Sequence, residues 1–481
     1  MSDKKSKEGL TVKKEDNFSE WYTQLILKSG LADYTKVSGC IVLKPKSYQI
    51  WEKIKDNINN DFKSIGIQNC YFPLLIPEEL LKKEKEHVKG FAPEVAWVTE
   101  AGNKQLNEKL AIRPTSEAIM YDSYKKWIRS WRDLPLRLNQ WNNVVRWEFK
   151  NPVPFLRTRE FLWNEGHHVY ANQKDLEKDK KAITEIYEKA IKELMALPSL
   201  FGQKTDKEKF AGALATYSFE LILPNGKAIQ GPDYHDDGQN FSKAYGIKFI
   251  DKNEKEKYCY QSTYAISTRM LGIMFAIHSD NKGLIIPPKL AENKIVIIPI
   301  LFEKTKDEIL KQTKIIKKEL EEFNPLIDDR EDYSPGWKYN EWELKGIPIR
   351  IEIGPKDLQK EQVIIKKRTG ERKEIKLKNL KKEIPQILEE IHSEIYERAE
   401  KLLDKSITKG ETFNSVKTAI QNKKIILVPL CKNPQCEEDI KEKIKGTKTL
   451  NIPENQQGLK GKKCIVCKKP ADYFVYIGKS Y

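Results

Sequence analysis

The sequence predicts an α+β chain in three modules: an antiparallel-sheet domain, an α/β domain, and a small metal-binding α+β domain. Three observations carry this reading. Residues 144–168 hold two strand-like runs around a proline-rich turn at 150–154. After Pro287-Pro288, apolar strand runs alternate with helical ones. Near the C-terminus, Cys431 and Cys436 form one close pair and Cys464 and Cys467 another.

The chain's 481 residues suffice for two or three separate cores. A hydrophobic share of 39% marks a folded protein and not a disordered one. The net charge of +16 suits a polyanionic partner, although a lysine-rich composition alone would produce it too. No run approaches the roughly 18 apolar residues of a membrane span. Residues 1–17 are charged and lack a signal peptide's apolar segment, so they read as a mobile leader and the protein as cytoplasmic. Seven cysteines, an odd number in a large chain, argue against a disulfide framework.

In chain order, residues 18–28 read as an amphipathic helix. Residues 37–43 read as a strand, followed by a helix from Pro45 through Trp51, Ile54 and Ile58. Residues 66–75 form a strand entering a turn at Pro73. Residues 110–117 (LAIRPTSE) end a strand at Pro114 and open a helix at Thr115-Ser116, both good capping types, with Glu117 at the positive helix end. A capped helix explains this segment without any ligand.

In the pair at 144–168, alternation puts Arg146 and Glu148 on one face. It likewise aligns Arg157, Arg159, Phe161, Trp163, Glu165 and His167. A core strand would carry Val, Ile or Leu there. Burying this set unpartnered would cost several kcal/mol per charge. A salt-bridged surface hairpin is one answer; a ligand anionic at one end and flat at another is the second.

Residues 175–197 form an amphipathic helix and 201–215 a polar connection. Residues 216–222 are a strand that turns at Pro224-Asn225-Gly226 and returns through Gln230 toward His235. Residues 264–278 are a strand feeding a helix, with Arg269 at the junction.

These pieces resemble the class II aminoacyl-tRNA synthetases. Arg146-x-Glu148, a loop, and Arg157-x-x-x-Phe161 match the family's motif 2. The helix, strand and Pro73 resemble motif 1, the dimer element, and 264–278 resemble motif 3. The wording RWEFKNPVPFLRTREFLWNEGH and Arg113-Pro-Thr-Ser-Glu117 are similar to prolyl-tRNA synthetases of the archaeal and eukaryotic type.

The resemblance implies a class II catalytic domain at 18–288, an anticodon-binding domain at 289–404 and a zinc domain at 405–481. It implies a homodimeric ligase that activates L-proline with ATP and Mg²⁺ and charges tRNA(Pro). Arg146 and Arg269 would be catalytic. Thr115, Glu117, Arg146, Trp163, Glu165, His167 and His235 would hold proline. Arg146, Glu148, Arg157, Thr158, Phe161, Gln230, Asp233, Ser267 and Arg269 would hold ATP. The run Gln230-Gly-Pro-Asp-Tyr-His235 departs from the family's Q-G-x-T-S-H at Asp233 and Tyr234, and Tyr264-Ala265 stand where the family has Trp-Gly. Asp233 cannot donate as the family's Thr does; a carboxylate could instead reach Mg²⁺. About 45 residues separate Tyr170 from Thr216, too few for the editing domain of bacterial-type relatives.

The second module begins with an apolar strand at 294–301 and a helix through Leu310, Ile315, Ile316 and Leu320. The resemblance places Glu343, Arg350 and Lys356 at two anticodon guanines; solvated charges at strand ends would look the same. Residues 380–403 form a long helix. In the last module Cys431, Cys436, Cys464 and Cys467 suit tetrahedral Zn²⁺ with no open position. The resemblance also suggests that the carboxylate of Tyr481 reaches toward the active site. Two other answers remain at this point. A threonyl-type neighbour would need zinc ligands inside the catalytic domain, and an inactive synthetase-derived RNA-binding protein would tolerate the departures at Asp233 and Tyr264.

Overall fold

The computed structural model describes residues 9–87, 94–148 and 151–481, without the side chains of 83–87. Lys150, part of the expected turn, lies outside the described residues. The first module is built on an eight-stranded sheet. Its order is Ile452–Pro453, Leu200–Gln203, Ala215–Ile222, Ala228–Gly238, Tyr260–Ser267, Glu160–Tyr170, Leu136–Val145 and Gln68–Asn69. Every neighbouring pair is antiparallel except the last, Gln68–Asn69 against Leu136–Val145.

Helices Phe18–Lys28, Pro45–Ser64, Gln173–Lys189 and Arg269–His278 cover one face, burying Trp21, Ile54, Phe62, Ile183, Tyr187 and Ile273 in one core. That layer leaves the opposite face of the central strands open for a site.

Several expectations need correction. The strand expected at 37–43 is only Ile41–Leu43, paired with Ala32–Tyr34. The one at 66–75 breaks into Gln68–Asn69 and Leu75–Pro77 on either side of Pro73. The polar connection expected at 201–215 begins inside the strand Leu200–Gln203, and Lys204 in it pairs with buried Glu220 at 2.5 Å. Residues 9–17 are not loose. Leu10 rests on the core, and Lys14 Nζ donates to the carbonyls of Ile277 and Ser279 at 3.1 and 2.7 Å, where the ends of helical dipoles favour a cation.

The second module is a five-stranded sheet in the order Leu326–Ile327, Ile295–Pro299, Ile349–Ile353, Gln362–Lys367, Arg372–Lys376, parallel at first and then antiparallel. Helix Lys306–Glu319 meets it through Ile309, Thr313 and Ile316, whereas Ile315, expected on that face, is exposed. The helix Leu380–Ser406 connects to the last module, whose sheet runs Ile407–Lys409, Ile425–Leu430, Tyr473–Lys479, Thr447–Thr449. This module is not separate from the first: Ile452–Pro453 forms an edge of the large sheet, and Tyr481 N–H donates to Ala228 O at 2.9 Å.

Candidate active site

Adjacent strands Glu160–Tyr170, Tyr260–Ser267 and Ala228–Gly238 hold alternate side chains on the open face of the sheet. There they line a cavity of about 440 Å³. Thr115, Glu117, Arg146, Glu148, Phe161 and Trp163 line it. So do Glu165, His167, Gln230, Asp233, His235, Ser267 and Arg269. Residues spread over more than 150 positions of sequence thus converge as the alternation requires.

At the deep end Glu165 is 2% exposed, yet it is saturated with donors. Its carboxylate accepts from Ser116 N–H (3.0 Å), Ser116 Oγ (2.5 Å), Gln140 Nε2 (2.9 Å) and Asn142 Nδ2 (2.7 Å). It also faces His167 Nε2 at 3.1 Å. Burial alone would raise its pKa, but the bonds from His167, Ser116 and Asn142 bring it below the ordinary value. For His167, burial acts downward, and the bond to Glu165 with the charges of Glu117 and Glu165 outweighs it, so its pKa is raised. Both shifts favour the charged forms of the pair. Ser116 does not cap its helix as expected; its hydroxyl is committed to Glu165. Glu117, Glu165 and His167 come close enough to hold a metal, but the donors around Glu165 use its lone pairs. Glu117, which accepts from Thr115 Oγ, is left as the carboxylate suited to a substrate ammonium.

Arg146 donates through Nε to Pro114 O at 3.1 Å and lies 5.5 and 5.2 Å from the ring centres of Phe161 and Trp163. Trp163 is itself fixed by Nε1–H donation to Asn142 Oδ1 at 2.7 Å. Arg269 is held by Leu156 O and Gln230 O, each at 3.3 Å. Burial, then the charges of Arg146 and Arg157, lower its pKa, which Asp233 and Glu220 partly offset. Three guanidinium groups so close together repel one another, an arrangement an anionic ligand relieves. Asp233 accepts from Gln230 Nε2 at 2.7 Å, and His235 Nδ1 faces Thr216 Oγ1 at 2.9 Å.

Some expected residues are elsewhere. Thr158 is buried beside Pro152 and Pro154, against a different depression, and does not line the cavity. Arg157 is exposed near Tyr481 and Arg269, outside the lining. Arg159 turns away, over Trp147 at 4.3 Å. The ring of Tyr264 points into the helical layer, where its hydroxyl meets His168 Nε2 at 2.8 Å; Ala265 contributes to the cavity floor.

Sequence reasoning missed Gln140, Asn142, Glu208, Phe210 and Thr263. The run of amides Asn139, Gln140, Asn142 and Asn143 inside a strand was a readable signal for the first two. Thr263 is 4% exposed. Behind it Asp237 is fully buried, and burial, then the charges of Glu117 and Asp236, raise its pKa well above the carboxylate range.

In the second module Glu343 and Arg350 meet at 3.6 Å, and Arg350 lies over Tyr339 at 3.9 Å. Lys356 sits on the next helix, Pro355–Gln359. In the last module the Sγ atoms of Cys431, Cys436, Cys464 and Cys467 all lie within 4.8 Å of one another, and Cys431 is 3.6 Å from both Cys436 and Cys467. Metal–sulfur bonds of about 2.3 Å give tetrahedral edges near 3.8 Å. The four thiols fit zinc.

An antiparallel sheet carrying convergent arginines, followed by an α/β module, is the architecture of a class II aminoacyl-tRNA synthetase. Residues 97–278 match the class II core domain shared by the G, H, P, S and T enzymes, 294–387 the anticodon binding domain, and 413–481 the prolyl-tRNA synthetase C-terminal domain. The chain belongs to the proline–tRNA ligase family. It is 42% identical to the proline–tRNA ligase of Natranaerobius thermophilus, over 95% of this chain and 94% of that one. It is also 42% identical to the cytoplasmic proline–tRNA ligase of Arabidopsis thaliana, over 98% and 91%. The crystal structure of prolyl-tRNA synthetase from Cryptosporidium parvum, complexed with halofuginone and AMPPNP, superposes with a TM-score of 0.95 at 41% identity, covering 99% of this chain and 100% of that one.

Proposed function

We propose that the cavity binds L-proline at Thr115, Glu117 and His167 and ATP toward Arg146 and Arg269. The carrying observation is that a carboxylate suited to an ammonium and guanidinium groups suited to phosphate line one cavity. Proline's carboxylate oxygen attacks the α-phosphorus of ATP, pyrophosphate leaves, and prolyl-adenylate results. The terminal hydroxyl of tRNA(Pro) then attacks the prolyl carbonyl and AMP departs.

Arg146, oriented by Pro114 O and flanked by two rings, stabilises charge on the α-phosphate and the substrate carboxylate. Phe161 and Arg269 sandwich the adenine, with Glu148 accepting from its amino group. Arg157, at the rim, takes the outer phosphates. Mg²⁺ accompanying ATP would neutralise phosphate charge, with Asp233 the nearest departure from the family pattern to offer it an oxygen. Glu343, Arg350 and Lys356 meet the anticodon, and the four cysteines hold a structural zinc.

The protein acts in the cytoplasm as a homodimer. Exposed Tyr71, Leu74, Leu75 and Trp97 around Pro73 give an apolar surface for the partner; among the described residues no helix is long and apolar enough to cross a membrane.

The test is ATP–pyrophosphate exchange with each of the twenty amino acids, with sedimentation of the same preparation to read its mass. Proline alone should support strong exchange, and Arg146→Ala should lower it by about 10²-fold or more. Exchange that follows another amino acid, or that survives in Arg146→Ala, removes these assignments; a monomeric mass removes the dimer.

A further inference from the structure

The helix Arg269–His278 begins at the arginine that lines the cavity and ends in a tight turn, 279–283, closed by reciprocal bonds between Asp280 and Gly283 of 3.1 and 3.3 Å. This turn is where the modules join. Arg368, buried at the end of the second module's sheet, grips Asp280 with two bonds, Nη1 to Oδ2 at 2.9 Å and Nη2 to Oδ1 at 2.6 Å. Its Nη2 also donates to Gly283 O and its Nε to the backbone carbonyl of Glu343, each at 3.1 Å. One planar guanidinium thus ties the turn below Arg269's helix to the backbone of a residue assigned to the anticodon. Lysine, a point charge, cannot reproduce that fork.

The contact is tight on both sides. Leu284 N–H donates to Leu344 O at 3.1 Å, and Gly283, at φ 145°, has no room for a side chain: a Cβ would lie 2.3 Å from Leu344 Cα. On the other side Trp21 Nε1–H donates to Asp280 O at 3.2 Å, so the turn is also fastened to the catalytic core.

The carboxylate of Glu343 lies 3.3 Å from Lys282, inside this turn, and 3.6 Å from Arg350. To accept from a guanine edge it must release or re-aim those partners. The exchange changes the charge facing Lys282 and the load on the carbonyl that Arg368 holds.

We infer that Arg368, through its paired bond to Asp280, is a positioning residue that couples anticodon recognition at Glu343 to the helix presenting Arg269. The inference rests on the anticodon assignment above. It gives the joint a discrete element, Glu343 on Lys282 or Glu343 on guanine, that both sites bias, which is what energetic coupling between distant sites requires.

The experiment compares the parent with Arg368→Gln and Asp280→Asn, each of which removes one side of the pair. Two readouts are taken. Proline-dependent ATP–pyrophosphate exchange without tRNA reports the active site alone. Aminoacylation kcat/KM for tRNA(Pro) and for the same tRNA with one anticodon guanine replaced reports recognition. Exchange should stay within about twofold of the parent. The penalty for the replaced guanine should shrink about tenfold in both variants, with the parent's penalty carried mainly in kcat. An undiminished penalty in both variants overturns the coupling and leaves the anticodon assignment standing. A parent indifferent to the replacement overturns the assignment as well. Loss of exchange in both variants shows a purely structural joint and also overturns the coupling.

Discussion

At the scale of single residues, the amino-acid end of the cavity is governed by the buried ion pair of Glu165 and His167. Removing one member of such a pair leaves an uncompensated charge and costs about 3–5 kcal/mol. The pH dependence follows from the two shifts. Glu165 titrates below its ordinary 4.5, so its contribution is present above that value and is lost as pH falls through the lower folded pKa. His167 titrates above its ordinary 6.5, so its contribution is complete below that value and is lost as pH rises through the higher folded pKa. The pair therefore stabilises most between 4.5 and 6.5. The difference in Tm between the parent and Glu165→Gln should peak near pH 5.5 (about midway between the ordinary values) and narrow on both sides. A difference constant across the acid and alkaline arms would show that the two are not ionised together.

At the scale of elements, the strand pair at the centre of the sheet was legible because a period of two leaves a strong imprint. Phe161, Trp163, Glu165 and His167 do line one cavity. What lay beyond reading was whatever a distant segment decides. Leu200–Gln203 is four residues long and pairs with Ile452–Pro453 from the last module, a partnership no local pattern encodes. Ser116 looked like a cap because its type suits one, and only the fold brings Glu165 within reach of it. Tyr264 stands where the family has Trp, yet alternation sends its ring to the far side of the sheet. There it lies over Gly166 and joins His168, whose Nδ1 faces Asp179 at 2.7 Å. A Cβ on Gly166 would fall 1.9 Å from Tyr264 Cζ. Gly166→Ala should therefore push apart the two strands that carry Glu165 and Ala265. The expected cost is about 1–3 kcal/mol in urea denaturation, with a raised KM for proline and an ATP KM near the parent's. Gly166→Ala with Tyr264→Val should recover much of the loss. A single substitution as stable as the parent would mean that the ring has another place to go.

At the scale of the whole molecule, the last module is bound to the catalytic sheet through the helix that carries a cysteine of the metal cluster. Glu437, next to Cys436 on helix Pro434–Lys443, accepts from Thr205 Oγ at 2.9 Å and Thr449 Oγ at 2.7 Å. Burial raises its pKa. Asn451 Nδ2 donates to Leu200 O and Ser218 O at 2.8 and 3.2 Å, fastening the edge strand that follows. Four thiols gathered within 4.8 Å of one another gain little by themselves, whereas a zinc ion makes their convergence favourable and its binding energy becomes folding energy. Metal loss should then act at two places, the cysteine knuckles and the edge of the catalytic sheet they help hold. The purified protein should contain about one zinc per chain by elemental analysis. Cys464→Ser should lose it, melt at lower temperature, and become sensitive to proteolysis between the Leu200–Gln203 strand and the C-terminus. Proline-dependent exchange should persist well below the new Tm, because none of the four cysteines lines the cavity. Full zinc content in Cys464→Ser, or a metal-free protein with the parent's Tm and protease resistance, would remove the metal from this account of how the modules are held.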